Sequence, residues 1–389
     1  MTDVTATLAA LEHAGLLRRP VTLGGGGGGG GGGRAEIDGR EVIVLCSNDY
    51  LGLREHPAVR QAAADAAMRW GAGAGSSRLV AGSLELHGTL ERELCDFKGS
   101  EACVLFGSGY LANTGVIAAL SGRGEVVLSD SLNHASIVDG CRLSRAETVV
   151  YPHGDMDALG WNLERVRGRP ALIVTDSVFS MDGDVAPLAA ITDLARRHGA
   201  RVVVDEAHAT GVLGPGGRGL VAELGLEEEV HVVIGTLSKA LGSYGAFACC
   251  RRPVADYLIN RARTLIFSTA LPPASVAAGL AAVRLVREAP ELVARVRQNA
   301  RVMRGALLAQ GLVVRPGAHP DVPVLPIVVG APAEAVRQSQ AALKAGVFVQ
   351  AIRPPTVPEG TSRLRVTVSA AHAADDLLRA AAVLAAAAH

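Results

Sequence analysis

Aromatic residues make up only 3% of the 389-residue chain. So few rings argue against a surface that stacks nucleic-acid bases. An excess of one charge is lacking too: 38 Lys and Arg face 38 Asp and Glu, a formal net charge of zero. Nothing basic advertises nucleic acid or an anionic membrane, and neither is expected as a partner. No apolar run reaches the roughly 18 residues of a membrane span. The opening MTDVTATLAALEHAGLL carries Asp3 and Glu12 and has no basic segment ahead of an apolar one, so it does not read as a secretory signal. The six cysteines (Cys46, Cys95, Cys103, Cys141, Cys249 and Cys250) form no CxxC pair. Reduced, mostly buried thiols in a cytoplasmic protein are expected. GxxxxGK[ST] and HExxH are also missing, so no metal is expected. The string DEAH at 205–208 lacks the upstream phosphate loop that a helicase would need.

Glycine, by contrast, is abundant, and Gly24 to Gly33 is an unbroken run. Such a run has high backbone entropy and nothing to pack, so a mobile loop is expected there, after an amphipathic helix over 4–17. From about residue 42 the texture changes. Short apolar runs at 102–108, 125–130, 147–153, 171–179, 201–208, 230–237 and 245–250 alternate with helical stretches such as 154–167, 186–199 and 253–263. Strands apolar throughout and joined by helices predict an α/β fold with a mostly parallel central sheet, covered on both faces. After about Pro272, long Ala/Leu/Arg helices (273–289, 290–310) and strands at 322–330, 347–355 and 362–370 predict a smaller α+β domain. The expected organisation is therefore an N-terminal helix and Gly-rich segment (1–41), a large domain (42–272) and a small C-terminal domain (273–389).

Sheets of this kind bind ligands beyond the carboxyl ends of their strands. Lys239 lies there, in GTLSKALGSYG, where an amine can condense with an aldehyde. Alone, a solvated surface lysine is the commoner reading. Asp205 ends the apolar run RVVVD, a place where carboxylates seldom sit without a cationic partner such as a pyridinium N–H; a structural salt bridge or a metal ligand is the alternative. His208 can hydrogen-bond a phenolic oxygen, or be an ordinary loop histidine. His134, in SDSLNHASIVDG, can stack on an aromatic ring. In FGSGYLAN, Ser108, Gly109 and Tyr110 open a helix whose N–H groups suit a phosphate, although any tight turn looks similar.

Taken together, SNDYLGL (47–53), NHASIVDG (133–140), SVFSMDGDVAPL (177–188), VDEAHATGVLGPGGRG (204–219), GTLSKALGSYG (235–245), FSTALPPA (267–274) and AIRPPTVPEGTSRLRVTVSAAH (351–372) resemble the α-oxoamine synthases. These are fold-type I transferases that depend on pyridoxal 5′-phosphate (PLP). The resemblance runs from about residue 40 to the end. It implies that Lys239 forms the Schiff base with PLP, that Asp205 partners the pyridinium, that His208 neighbours the phenolic oxygen and that His134 stacks on the ring. It places Ser180 and Thr236 near the cofactor, Thr236 beside its phosphate. Ser268 and Thr269 match a segment that reaches the neighbouring subunit's phosphate, which implies a homodimer with shared active sites. Asn48 and Arg365 match positions that hold an amino-acid carboxylate, a task suited to the planar guanidinium. Arg353 is a candidate for the acyl substrate. The implied reaction joins an amino acid to an acyl thioester with loss of CO2. AIRPPTVPEGTSRLR and FSTALPPA lean toward members that use L-alanine and a pimeloyl thioester. NHASIVDGCRLS is shared with those that use glycine and acetyl-CoA.

Overall fold

A computed structural model describes residues 3–24 and 33–389. The strands along the chain are β1 (Arg34–Ile37), β2 (Arg40–Val44), β3 (Ala102–Phe106), β4 (Val126–Asp130), β5 (Glu147–Tyr151), β6 (Ala171–Asp176), β7 (Arg201–Asp205), β8 (Val232–Thr236), β9 (Ala246–Cys250), β10 (Val324–Gly330), β11 (Val347–Phe348), β12 (Gln350–Ile352) and β13 (Ser362–Thr367). The chain divides into two compact units. One comprises residues 1–52, 181–184 and 294–389; the other comprises 53–180 and 185–293.

The larger unit is built on a seven-stranded sheet of order β3-β9-β8-β7-β6-β4-β5. The pairs β4–β5, β4–β6, β6–β7 and β7–β8 are parallel, while β9 runs antiparallel to both β8 and β3. All seven expected strands are present, and the sheet is mostly parallel as expected. Val127, Leu172, Val174, Val203 and Ile234 are buried from the sheet against Val116, Ile117 and Ile137 of the helices Gly109–Leu120 and Ala135–Ser144. Leu128, Ile173, Val202, Val204 and Val233 at the alternate positions are buried as well, and burial on both faces explains why these strands read as continuous apolar runs rather than alternating ones. The parallel strands β4, β6, β7 and β8 each end on a polar residue: Asp130, Asp176, Asp205 and Thr236.

The smaller unit holds two three-stranded sheets, β1-β2-β11 and antiparallel β10-β13-β12. Its core includes Leu45, Met303, Leu307, Leu325, Leu364, Val366, Leu377 and Leu384. The segment 181–184 belongs here because Asp182 binds the fully buried Arg363, Oδ1 to Nη1 at 2.6 Å. The 347–355 run is broken into two short strands rather than one.

The divisions fall elsewhere than the composition suggests. The late boundary lies at 293/294 instead of near 272, because the helix Pro273–Glu288 packs on the helices Pro57–Trp70 and Glu85–Lys98. Its buried face of Val276, Leu280 and Val283 needs that cover. Residues up to 52 go with the C-terminal segment rather than forming a part of their own, since β2 pairs with β11 and Arg34 bonds Asp376. The N-terminal helix is Val4–His13, shorter than 4–17; it stops before Gly15, whose φ is +66°. The loop expected over Gly24–Gly33 lies mostly outside the described residues; Gly24 bridges Glu36.

Candidate active site

Asp205 ends β7, behind the buried Val202, Val203 and Val204. Its Oδ1 accepts from the Ala207 N–H (2.7 Å) and its Oδ2 from Asn113 Nδ2 (2.6 Å). Asn113 comes from the helix Gly109–Leu120, and the same Nδ2 donates to Ser136 Oγ at 2.9 Å. Its Oδ1 is buried without a partner among the described residues. A buried amide oxygen in that state is ready for a donor, because leaving it unmatched costs about 1–3 kcal/mol.

Lys239 follows β8, half-buried, with Nζ 2.7 Å from His208 Nε2. The turn carrying it is held by Gly242 N–H to the Lys239 carbonyl and by Ser243 N–H to the Leu237 carbonyl. Gly242 sits at φ +59°, and a side chain there would meet the backbone of Leu53 and Arg54 at 2.3–2.6 Å, so the turn requires glycine. Thr236 is buried, its hydroxyl bonded to the Gly245 carbonyl (3.0 Å) and Ser238 Oγ (2.8 Å).

His134 caps the helix Ala135–Ser144, its Nδ1 accepting from Ser136 N–H (3.3 Å) and lying 2.7 Å from Ser136 Oγ. The residue is exposed, and desolvation by its surroundings holds the imidazole below its ordinary pKa. Lys239 works in the same direction and Asp205 against it. Ser108 caps the helix Gly109–Leu120 by accepting from Leu111 N–H at 3.2 Å. A Cβ built on Gly109 meets nothing within 4 Å, so the space before this helix N-terminus is open. A helix start with such room suits an anion. Tyr110 is exposed and bonds Asp139 through its hydroxyl. Ser180 is half-buried. Ser268 and Thr269 line a small cavity with Gly107, Arg78 and His87.

In the other unit, Arg365 is buried, with Nη1 3.0 Å from Asn48 Oδ1, and the Tyr50 hydroxyl donates to the same oxygen at 3.1 Å. Asn48 and Arg365, 317 positions apart, are thus brought together. Arg353 does not join them. Its guanidinium bonds the carbonyls of Gly15 and Leu17, so the N-terminal segment engages the group expected to meet an acyl substrate.

Sequence reasoning missed Asn113, Ser136 and Asp176. Asp176 carries the same mark as Asp205, a carboxylate ending an apolar strand, and was legible on that ground. Asn113 has a weaker mark, a single amide inside the apolar helix GYLANTGVIAAL.

An amine at the end of one parallel strand, a buried carboxylate at the end of the next and an open helix N-terminus on the same sheet fit PLP in the chemistry of their donor set. This is the fold-type I architecture of PLP-dependent transferases. The family model for aminotransferase class I and II matches residues 40–384, and the chain belongs to that family. Within it the chain is an acyltransferase of the α-oxoamine synthase group. It is 52% identical to the 8-amino-7-oxononanoate synthase of Trichlorobacter lovleyi, over 90% of this chain and 89% of that one. It is 49% identical to the 8-amino-7-oxononanoate synthase of Geobacter sulfurreducens, over 98% and 97%. Among solved structures, the serine palmitoyltransferase of Sphingomonas wittichii matches with a TM-score of 0.92 at 32% identity, covering 99% of this chain and 96% of that one. The 8-amino-7-oxononanoate synthase of Francisella tularensis matches with a TM-score of 0.76 at 26% identity, covering 89% and 97%. Among the described residues no helix is long and apolar enough to cross a membrane.

Proposed function

We propose that this enzyme condenses L-alanine with a pimeloyl thioester, carried by CoA or an acyl-carrier protein, to give 8-amino-7-oxononanoate, CO2 and the free thiol, a step of biotin biosynthesis. The observation that carries the reading is the cluster of Lys239, His208, Asp205 and Asn113 at the ends of β7 and β8, in a chain about half identical to enzymes of that name.

Bound PLP supplies an electron sink for the charge left at the amino acid's Cα. The residues divide the remaining work. Lys239 is the amine that would anchor the cofactor's aldehyde, and it would also be the general base for the substrate's α-proton. Asp205, held by two donors, would pair with the pyridinium N–H and keep that nitrogen protonated. His208 neighbours the phenolic oxygen, and His134, with its depressed pKa, offers a neutral ring face for stacking. Ser108, Gly109, Tyr110 and Thr236 take the phosphate, and Ser180 lies near the cofactor. Arg365 and Asn48 take the amino-acid carboxylate. In a homodimer the half-buried Ser268 and exposed Thr269 of one copy serve the site of the other. Arg353 meets the acyl chain only after giving up its bonds to Gly15 and Leu17.

The test is thiol release with alanine and pimeloyl-CoA against glycine and acetyl-CoA. Preference for the first pair is expected; preference for the second overturns the substrate assignment. Lys239→Ala should abolish the visible band of bound PLP and its reduction by borohydride. A variant that keeps a reducible band overturns the role of Lys239.

A further inference from the structure

Asp176 and Asp205 are register partners at the ends of β6 and β7, and both are buried. They are used differently. Asp205 is held by Ala207 and Asn113. Asp176 Oδ2 instead accepts the main-chain N–H of His134 at 2.8 Å. Its own N–H donates to Asn133 Oδ1 at 3.0 Å, and Asn133 Nδ2 donates to the Val174 carbonyl at 2.8 Å. The pair 133–134, which leads from β4 into the helix Ala135–Ser144, is therefore stitched to the end of β6. From there a second chain of bonds runs from His134 Nδ1 to Ser136 Oγ, to Asn113 Nδ2 and to Asp205. The imidazole is held from its backbone by one carboxyl and through its ring by the network of the other.

We propose that Asp176 is a positioning residue for His134, fixing the main chain beneath that imidazole by accepting its N–H. The inference rests on His134 and Asp205 being part of the cofactor site. Asp176 faces Asp205 on β7, Asp130 on β4, Lys239 beyond β8 and His134 itself. Burial first, and then Asp205, hold its carboxyl well above the ordinary range, against the His134 N–H and Lys239, which act the other way. Asparagine retains an acceptor oxygen for the His134 N–H without the charge; alanine removes it.

The experiment uses the full chain without cofactor. The Cε1–H signal of His134, assigned by its loss in His134→Gln, is followed by NMR across pH. The dissociation constant for added PLP is measured by fluorescence. Asp176→Asn should leave the His134 signal and its titration in place and change the PLP constant by no more than about twofold. Asp176→Ala should displace the signal and weaken PLP by about tenfold, the scale of one buried N–H left unmatched. An alanine variant that behaves as wild type overturns the proposal, and so does an asparagine variant that displaces the histidine. If the alanine variant does not fold, the asparagine variant alone decides. Failure of the wild-type chain to take up PLP would sink the cofactor reading instead, and the histidine signal would still report on Asp176.

Discussion

Asn113 Nδ2 stands 2.6 Å from Asp205 Oδ2, the shortest of the bonds that hold this carboxylate. An amide nitrogen is a donor that cannot ionise, so it orients the carboxylate without neutralising it. Asn113→Ala should raise the dissociation constant for PLP about tenfold, since a buried hydrogen bond to a charged group contributes about 1.5–3 kcal/mol. Asn113→Asp should be worse, because it sets a second carboxylate against the first. Equilibrium titration of cofactor-free protein checks both.

Lys98 Nζ lies 2.6 Å from Glu206 Oε2, and both side chains are buried. Glu206 Oε1 also accepts the Val221 N–H, tying the segment after Asp205 to residue 221. Lys98→Ala should destabilise by about 3–5 kcal/mol, because it strands a buried charge. Lys98→Met combined with Glu206→Gln should lose markedly less. Gly219→Ala strikes the same place: φ is +112°, and the added Cβ would sit 2.0 Å from Glu206 Oε2. Denaturant midpoints rank the three variants.

His87 and His372 are buried, and burial holds both imidazoles below their ordinary range. The folded chain therefore binds fewer protons at these sites than the unfolded chain. The stability they contribute is present above about pH 6.5, the unfolded value, and is lost as pH falls toward the depressed folded value. Asp176, pushed up, acts in the opposite sense: its contribution is full below about pH 4 and is lost as pH rises. The clean measure is thus a difference. His372→Asn should flatten the fall in melting temperature between about pH 7 and 5 relative to wild type.

Arg365 is buried, with Asn48 on its Nη1 and Tyr50 beside it. Arg365→Lys keeps the charge and loses the guanidinium fork. With Arg365 in its proposed role, the variant should raise KM for the amino acid by about tenfold or more while leaving PLP absorbance unchanged, because that role is toward a carboxylate and not toward the cofactor. Steady-state kinetics over amino-acid concentration, with a spectrum of each variant, checks it.

Much of the larger unit was legible in the chain. Each of the seven strands shows as an apolar run, and all but the edge strand β5 are buried on both faces by the covering helices. Asp205 stands out because a carboxylate at the end of such a run is expensive to place by accident, whereas Lys239 was legible only through the motifs around it. The boundary at 293/294 was not legible. The helix Pro273–Glu288 is as rich in Ala, Leu and Arg as the helix after it, and composition does not say which core a helix covers. The setting of Arg353 was hidden for a related reason: its place beside a family motif says nothing of the carbonyls of Gly15 and Leu17, more than 330 positions away, that bind it.

By itself the sequence determined the α/β class, the strand set and the residue types at the carboxyl edge of the sheet, because periodicity and strand-end charge are local properties of the chain. Which side chains meet was decided only by the tertiary structure. Asn113 on Asp205, Asp176 under His134 and Asn48 on Arg365 are joined by distances of 2.6, 2.8 and 3.0 Å across 92, 42 and 317 positions. A hydrogen bond acts over about 3 Å of space, while spacing along the chain carries no such distance until the sheet has formed.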